Sequence, residues 1–499
     1  MKALIETYEY NLCGTVTAIP SKSHLHRLLI AAALGTAPVE FPYRGMSNDI
    51  RATMNCLRSL GAKVVHEYSF WGGYNGHVDT MRDVLKVFPV RDDVKKKAVL
   101  DPGESGSTYR FFTPLAAALG VETRFCLHGK LPTRPMAPLW NEMEAHGVTI
   151  TGKGTDSPVL SGKLTPGEYR LPGNVSSQFF TGLLFALPLL DGDSRISIEG
   201  KLESVGYIDM TLEVLDFFHI KIEQGEGYFV VPGNQKYILP EELTMYDSAP
   251  EDVRAENKPP VYIRPEGDWS NSAFWLCAGA AGGGLTVDGL APSRYTSQGD
   301  SAVVEILRFF GAEVKEGEYP SETGTWDDFA NELGGEQLWW EWHENDDYAA
   351  DDVVAPDSVT VKPAPLHGIT IDVSDIPDLV PALAVAAMAA KGRTVCTTAG
   401  RLRLKESDRI ASVCAAVNAL GGKAWAEGDS LIIEGGERPR GGTVDACGDH
   451  RIVMLAAAAA PWCTGPVTIL GAEAVNKSYP NFWRDYASLG GHVTLYEED

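Results

Sequence analysis

The apolar positions of this chain fall into a pattern that recurs six times. An amphipathic helix stops at a glycine, or an equivalent residue, and an alternating strand follows: CLRSLGAKVV (Gly61), EMEAHGVTI (Gly147), VLDFFHIKI (His219), ILRFFGAEV (Gly311), AVNALGGKA (Gly421) and DYASLGGHVTL (Gly490). Glycine closes helices because it enters the left-handed region without a Cβ penalty, and His219 is the exception. Ahead of each copy a polar turn runs into an Ala/Leu-rich segment: SKSHLHRLLIAAAL, SGSTYRFFTPLAAAL, SSQFFTGLLFALPLL, WSNSAFWLCAGAA, IPDLVPALAVAAMAA and DHRIVMLAAAAA. From Ser23, Ser107, Ser177, Ser270, Asp378 and His450 to the matching helix end the separation is 38, 40, 42, 41, 43 and 40 residues. These segments are apolar almost all round, which predicts buried helices with the amphipathic ones outside them.

Six βα-rich units predict an α/β chain of two domains with three units each. The stretches from helix end to next polar turn are 46, 30, 51, 67 and 29 residues long, so three of them carry insertions. Residues 316–360 form the largest, with 14 Asp/Glu, no Lys or Arg, and the cluster LWWEW. It reads as a solvated surface excursion, or as a partner-binding loop around Trp339, Trp340 and Trp342. A second insertion lies near 236–260.

With 44% hydrophobic and 22% charged residues among 499, the chain is neither collagen-like nor wholly disordered. Its net charge of -24 argues against nucleic acid as a partner, so any anion site must concentrate a few Lys and Arg locally. Helix N-termini converging on one cleft would help, because their free N–H groups carry partial positive charge. Eight cysteines without a CxxC pair predict free thiols in a reducing compartment. No apolar run approaches membrane length, and no signal-peptide pattern opens the chain, so the expectation is a cytoplasmic protein with no membrane partner. No HExxH or Cys/His cluster suggests a metal, and no cofactor is expected.

The polar turns carry the candidate chemistry. Pro20–Arg27 places Lys22, Ser23 and Arg27 at one helix start. Gly103–Thr108 lacks the lysine of a phosphate-binding P-loop, which disfavours a nucleoside triphosphatase, while Gly106 permits close approach of backbone N–H groups. Ser176-Ser177-Gln178 supplies hydroxyls and an amide suited to phosphate and sugar-like hydroxyls. Arg401–Arg409 packs six charges into nine residues, with Lys405 and Arg409 one helical turn apart. A carboxylate among fixed cations, here Glu406, is a natural proton-transfer group beside an anionic substrate. Arg451 and Lys477 add cations in GDHR and KSYPNF.

Twelve segments, in order between residues 20 and 482, resemble one family: SKSHLHR, SNDI, GESGSTYRF, RPM, SSQF, VGYIDMTL, GDWSNSAF, SQGD, IPDLVP, LRLKESDRI, GDHR and KSYPNF. That family is 5-enolpyruvylshikimate-3-phosphate synthase. The resemblance implies the two-domain enolpyruvyl transferase fold, an inside-out α/β barrel of six βαβαββ-like units. It puts residues 21–265 in one domain, and 1–20 with 266–499, including the acidic insertion, in the other. It implies transfer of the enolpyruvyl group of phosphoenolpyruvate to the 5-hydroxyl of shikimate 3-phosphate, with release of phosphate, on the way to chorismate and the aromatic amino acids. A monomer is expected.

By motif match, Lys22, Ser23, Arg27, Ser176, Ser177, Gln178, Ser204, Tyr207, Asp378 and Lys405 are similar to positions that hold shikimate 3-phosphate. Lys22, Gly106, Lys130, Gln178, Arg409, Arg451 and Lys477 are similar to positions around phosphoenolpyruvate. Asp378 matches the base for the 5-hydroxyl, and Glu406 the acid that protonates the methylene carbon and later takes a proton back. Lys22 matches the group that assists departing phosphate. Three departures stand out: Pro20 replaces a glycine, Glu104 and Ser105 replace the usual Asn-Ala, and Lys130 replaces an arginine, which loses a bidentate fork unless Arg134 compensates.

Two rivals remain. UDP-N-acetylglucosamine enolpyruvyl transferase would show Lys-Asn near the start and a reactive loop cysteine, whereas Ser23 follows Lys22 and only Cys126 lies near residue 130. A non-catalytic acidic scaffold would show degraded turns. Cations in both halves of the sequence also predict mutual repulsion across an empty cleft, so that the cleft closes only on an anion.

Overall fold

The computed structural model describes residues 1–7, 11–71, 80–90, 94–240, 261–317 and 357–497. Most of the acidic insertion, with its tryptophans, and residues 241–260 of the second insertion lie outside the described residues.

The six Ala/Leu-rich segments form the helices Lys22–Leu34, Gly106–Ala118, Ser177–Ala186, Trp269–Ala281, Val380–Ala389 and His450–Ala459. Each starts at its polar turn. Burial is nearly complete: every residue from Leu25 to Ala33, and from Val380 to Met388, is in the interior. The amphipathic partners are Asn48–Leu60, Ala137–Ala145, Val205–Phe217, Val303–Phe310, Arg409–Ala419 and Phe482–Ser488. All six helix-end residues have positive φ, from 118° at Gly61 down to 57° at His219, so the histidine fills the glycine position by accepting the same conformation. The strand expected directly after His219 differs: it begins only at Glu223 and has three residues, Glu223–Gly225.

Among the described residues the strands arrange as six separate four-stranded sheets, each with one parallel and two antiparallel pairings. In the sheet of Glu168–Pro172 and Ser194–Glu199 the parallel pair is bridged by the helix Ser177–Ala186, the right setting for a crossover helix. Two sheets exchange their first strands. Gly14–Thr17 pairs parallel with Leu285–Asp288, while Val261–Tyr262 pairs parallel with Val39–Tyr43. Lys2–Ile5 enters a third sheet, between Val467–Leu470 and Val493–Tyr496. The chain therefore crosses between its two halves twice, near Pro20 and near Gly267, where these two residues form a bridge.

Two cores result. One gathers residues from Leu25 to Ile263 around the first three buried helices. The other gathers Ala3 to Ile19 with Trp269 to Leu489 around the last three. Among the described residues no helix is long and apolar enough to cross a membrane.

Candidate active site

The buried helices point their N-terminal ends at the junction of the two halves, and five of the six starts line one cavity there. Eight cationic side chains line it (Lys22, Arg27, Arg110, Arg134, Arg401, Lys405, Arg409, Arg451) against three carboxylates, Asp49, Asp378 and Glu406. A chain of net charge -24 thus builds a local cation excess. Free helix N–H groups add to it.

The helix caps leave hydroxyls available. Ser21, not Ser23, caps the first helix by accepting from the His24 amide at 3.3 Å, and Ser105 accepts from the Thr108 amide at 3.2 Å. Ser176, at the cap position of its helix, makes no capping hydrogen bond with its side chain. Ser23, Ser176 and Ser177 all line the cavity. At Gly106 an added Cβ would lie 2.6 Å from Nη1 of Arg134, so the glycine leaves room for that guanidinium against the helix start.

The cations do not face one another bare, which corrects the expectation of an electrostatically open cleft. Carboxylates are interleaved among them. Asp49 accepts from Lys22 Nζ at 2.8 Å and from Lys477 Nζ at 3.0 Å. Arg409 is buried and donates to Asp378 at 2.5 Å, Glu406 at 2.6 Å and Asp449 at 2.8 Å. Arg134 reaches Glu406 from the other half at 3.4 Å, and Lys405 reaches Asp378 at 3.2 Å. Arg401 pairs with Glu203 at 3.2 Å and donates to the Ser204 hydroxyl at 2.9 Å.

Charge states follow from these partners. Burial alone would raise the Asp378 carboxyl, but Lys405, Arg451 and Arg409 hold it well below its usual range. Glu406 is likewise lowered, burial being outweighed by Arg409 and Arg134. Asp49 falls too, through Lys22 and Lys477. Burial pushes the Lys405 ammonium down to about 8, with Asp378 resisting. His450 lines the cavity with its imidazole pushed down to about 3 by burial, so it is neutral at pH 7.

The structure brings together Lys22, Ser23, Arg27, Gly106, Ser176, Ser177, Gln178, Ser204, Tyr207, Asp378, Lys405, Glu406, Arg409 and Arg451. Arg27 is engaged by the protein itself, donating to Thr211, to the Ser23 and Tyr207 carbonyls and to Thr181, so it ties helix starts together. Lys477 is buried behind the cavity on Asp49 and the Glu104 carbonyl. Lys130 is not brought in: it is exposed outside the lining, because the turn Leu131–Thr133 carries the chain past it and presents Arg134 instead. Sequence reasoning missed Asp49 and Arg110, and it flagged Arg401 within its charged run without giving it a role. Arg110 had a signal, a charge inside an otherwise apolar helix, and it donates to Gln178 Oε1 at 2.7 Å.

The family model described as EPSP synthase (3-phosphoshikimate 1-carboxyvinyltransferase) matches residues 7–486. The chain belongs to the EPSP synthase family. A relative from Clostridium kluyveri named 3-phosphoshikimate 1-carboxyvinyltransferase is 37% identical over 486 residues, covering 96% of each chain. One of the same name from Clostridium novyi is 35% identical, covering 97% of this chain and 96% of its own. In fold, the chain is similar to the EPSP synthase structure from Acinetobacter baumannii, with TM-score 0.71 and 22% identity over 99% of this chain and 100% of that one. As an EPSP synthase family member, the chain has an α/β fold of six small mixed sheets, in line with the repeats in its sequence.

Proposed function

We propose that this chain transfers the enolpyruvyl group of phosphoenolpyruvate to the 5-hydroxyl of shikimate 3-phosphate and releases phosphate; its relatives are named 3-phosphoshikimate 1-carboxyvinyltransferase. The observation that carries the reading is the cavity itself. Helix starts and eight cations suit two multiply charged anions, and two carboxylates, Asp378 and Glu406, share Arg409 within it.

In this reading Asp378, held ionised by its cations, accepts the 5-hydroxyl proton as the hydroxyl oxygen bonds to the enol carbon. Glu406 delivers a proton to the methylene carbon. Substrate anions that engage Arg134 and Arg409 draw them off this carboxylate, which raises its proton affinity. In the second step Glu406 takes a proton back from the methyl group, the double bond re-forms, and the C–O bond to phosphate breaks with its electron pair leaving on phosphate. Lys22 stabilises that charge. Lys405, Ser176, Ser177, Gln178, Ser204 and Tyr207 orient shikimate 3-phosphate. Arg134 takes the role that the sequence offered to Lys130.

The same reading divides the chain into 21–265 and 1–20 with 266–499, and the two separate cores support it. Eight free cysteines support a cytoplasmic setting, and a cavity built from one chain supports a monomer. The test is phosphate release with phosphoenolpyruvate and shikimate 3-phosphate, run beside UDP-N-acetylglucosamine as acceptor. Release only with shikimate 3-phosphate is expected; release only with the nucleotide sugar, or with neither, overturns the proposal.

A further inference from the structure

The segment SQGD ends in Asp300, which is the second residue of the turn Gly299–Ala302 and is 4% exposed. Its Oδ2 accepts from the Ser270 hydroxyl at the start of the helix Trp269–Ala281. The Tyr207 hydroxyl, from the opposite half, lies 3.4 Å from that same oxygen and 3.1 Å from Oδ2 of Asp378. Oδ1 of Asp300 is buried without a hydrogen-bond partner.

A phenol has one proton and can donate to one carboxylate at a time. Asp378 has Lys405, Arg409 and Arg451 against it, whereas Asp300 forms no ion pair among the described residues. Of the two carboxylates Asp300 is therefore the better home for an incoming proton, because protonation there removes a buried charge that has no cation paired with it. Groups facing Asp300 come from every neighbouring element: Ser270, Tyr207, Asp378, Arg451 and Asp268. Burial, then Asp378, raises its carboxyl to about 6 against the pull of Arg451.

We propose that Asp300 is a positioning residue that stores, through the Tyr207 hydroxyl, the proton Asp378 removes from the acceptor hydroxyl. This rests on the proposed function above. As Asp378 gives up its new O–H proton to the Tyr207 oxygen, the Tyr207 O–H bond breaks and its proton passes to Oδ2 of Asp300. Tyr207 ends neutral, Asp378 ends ionised, and Asp300 ends protonated. Once the C–O bond to phosphate has broken, and while phosphate is still bound, the relay runs backward, Asp378 returns the proton to the phosphate and it departs with it, so no other reactant is needed. Resetting Asp378 to its ionised form keeps its cations compensated while the intermediate is present.

The test is the pH profile of kcat for phosphate release by the parent, Asp300→Asn, Asp300→Glu and Tyr207→Phe. An ionised Asp300 is the acceptor, so parent kcat should rise with pH through about 6. Asp300→Asn should lower kcat by about 10²-fold and remove that inflection, with KM for shikimate 3-phosphate little changed. Asp300→Glu should restore the inflection. If Asp300→Asn fails to fold, Tyr207→Phe carries the measurement, because it leaves Asp300 in place and cuts the path; the inflection should vanish there too. A parent-like profile in the folded Asp300→Asn protein, or in Tyr207→Phe, overturns the proposal. A parent that releases no phosphate overturns the reading beneath it instead, which separates the two failures.

Discussion

Lys477 and Asp49 stand 428 positions apart and meet at 3.0 Å inside the protein. The same carboxylate holds Lys22 at 2.8 Å, so one buried acid joins a cation from each half of the fold. Without Asp49, the buried Lys477 ammonium and the partly buried Lys22 ammonium would both lose the carboxylate they are hydrogen-bonded to.

Asp49→Asn is therefore expected to destabilise the protein by about 3–5 kcal/mol in a denaturant titration, the cost of breaking a buried ion pair on one side. The sign with pH follows from linkage. The folded-state carboxyl is lowered below its unfolded value, so its contribution is present above about pH 4 and fades as pH falls through the folded value. The gap between parent and variant should be full at pH 7 and shrink in acid. An equal gap at pH 7 and pH 2 would show that Asp49 acts through shape and not charge.

Asp378→Asn and Glu406→Gln keep shape and remove proton-transfer capacity. Each should lower turnover by about 10²–10⁴-fold while calorimetry still detects shikimate 3-phosphate. Near-parent phosphate release by both variants would remove the acid and base from these positions.

Lys405 gives a pH effect of the opposite sense. With its ammonium lowered to about 8, the free protein loses this charge as pH rises through 8. Affinity for shikimate 3-phosphate should weaken from pH 7 to pH 9, and Lys405→Arg, which stays charged, should flatten that dependence. Titration calorimetry across this range measures it directly.

Closure can be tested at Gly206, in the helix Val205–Phe217. A Cβ there would sit 2.7 Å from the Ser297 carbonyl oxygen and 2.8 Å from the Gly299 nitrogen, both backbone atoms of the other half. Gly206→Ala should hold the halves apart, raising the radius of gyration in small-angle scattering with both ligands present and lowering turnover. An unchanged radius would mean that the halves adjust at no cost.

The acidic insertion is tested by its anchor points. Glu313–Glu316 and Ser358–Lys362 pair antiparallel, and the Gly317 amide donates to the Ser358 carbonyl at 2.9 Å, so the insertion's ends lie side by side. Replacing 320–355 with a short turn should leave phosphate release within about twofold, since shortening a closed loop changes its entropy by only about 0.6 kcal/mol per halving. Loss of substrate affinity in a folded variant would show that the insertion serves the cleft.

The sequence by itself determined the six units, because helix and strand periods and the left-handed helix ends are local properties. Even His219 declared its position through spacing, and it takes the conformation of the glycines it stands among. It also located most of the helix starts that line the cavity, since capping residues and cations announce themselves at polar turns. Only the tertiary structure decided the partners. Asp49 reads in sequence as an ordinary acid near a helix start, and becomes a bridge only when Lys477 arrives from the far end of the chain. Lys130 and Arg134 are indistinguishable as charges until a turn exposes one and buries the other. Likewise, the cation count in sequence suggested repulsion, whereas folding set Asp49, Asp378, Glu406 and Asp449 between the cations. Electrostatic energy depends on distance and burial, and both are properties of contacts made across the whole chain.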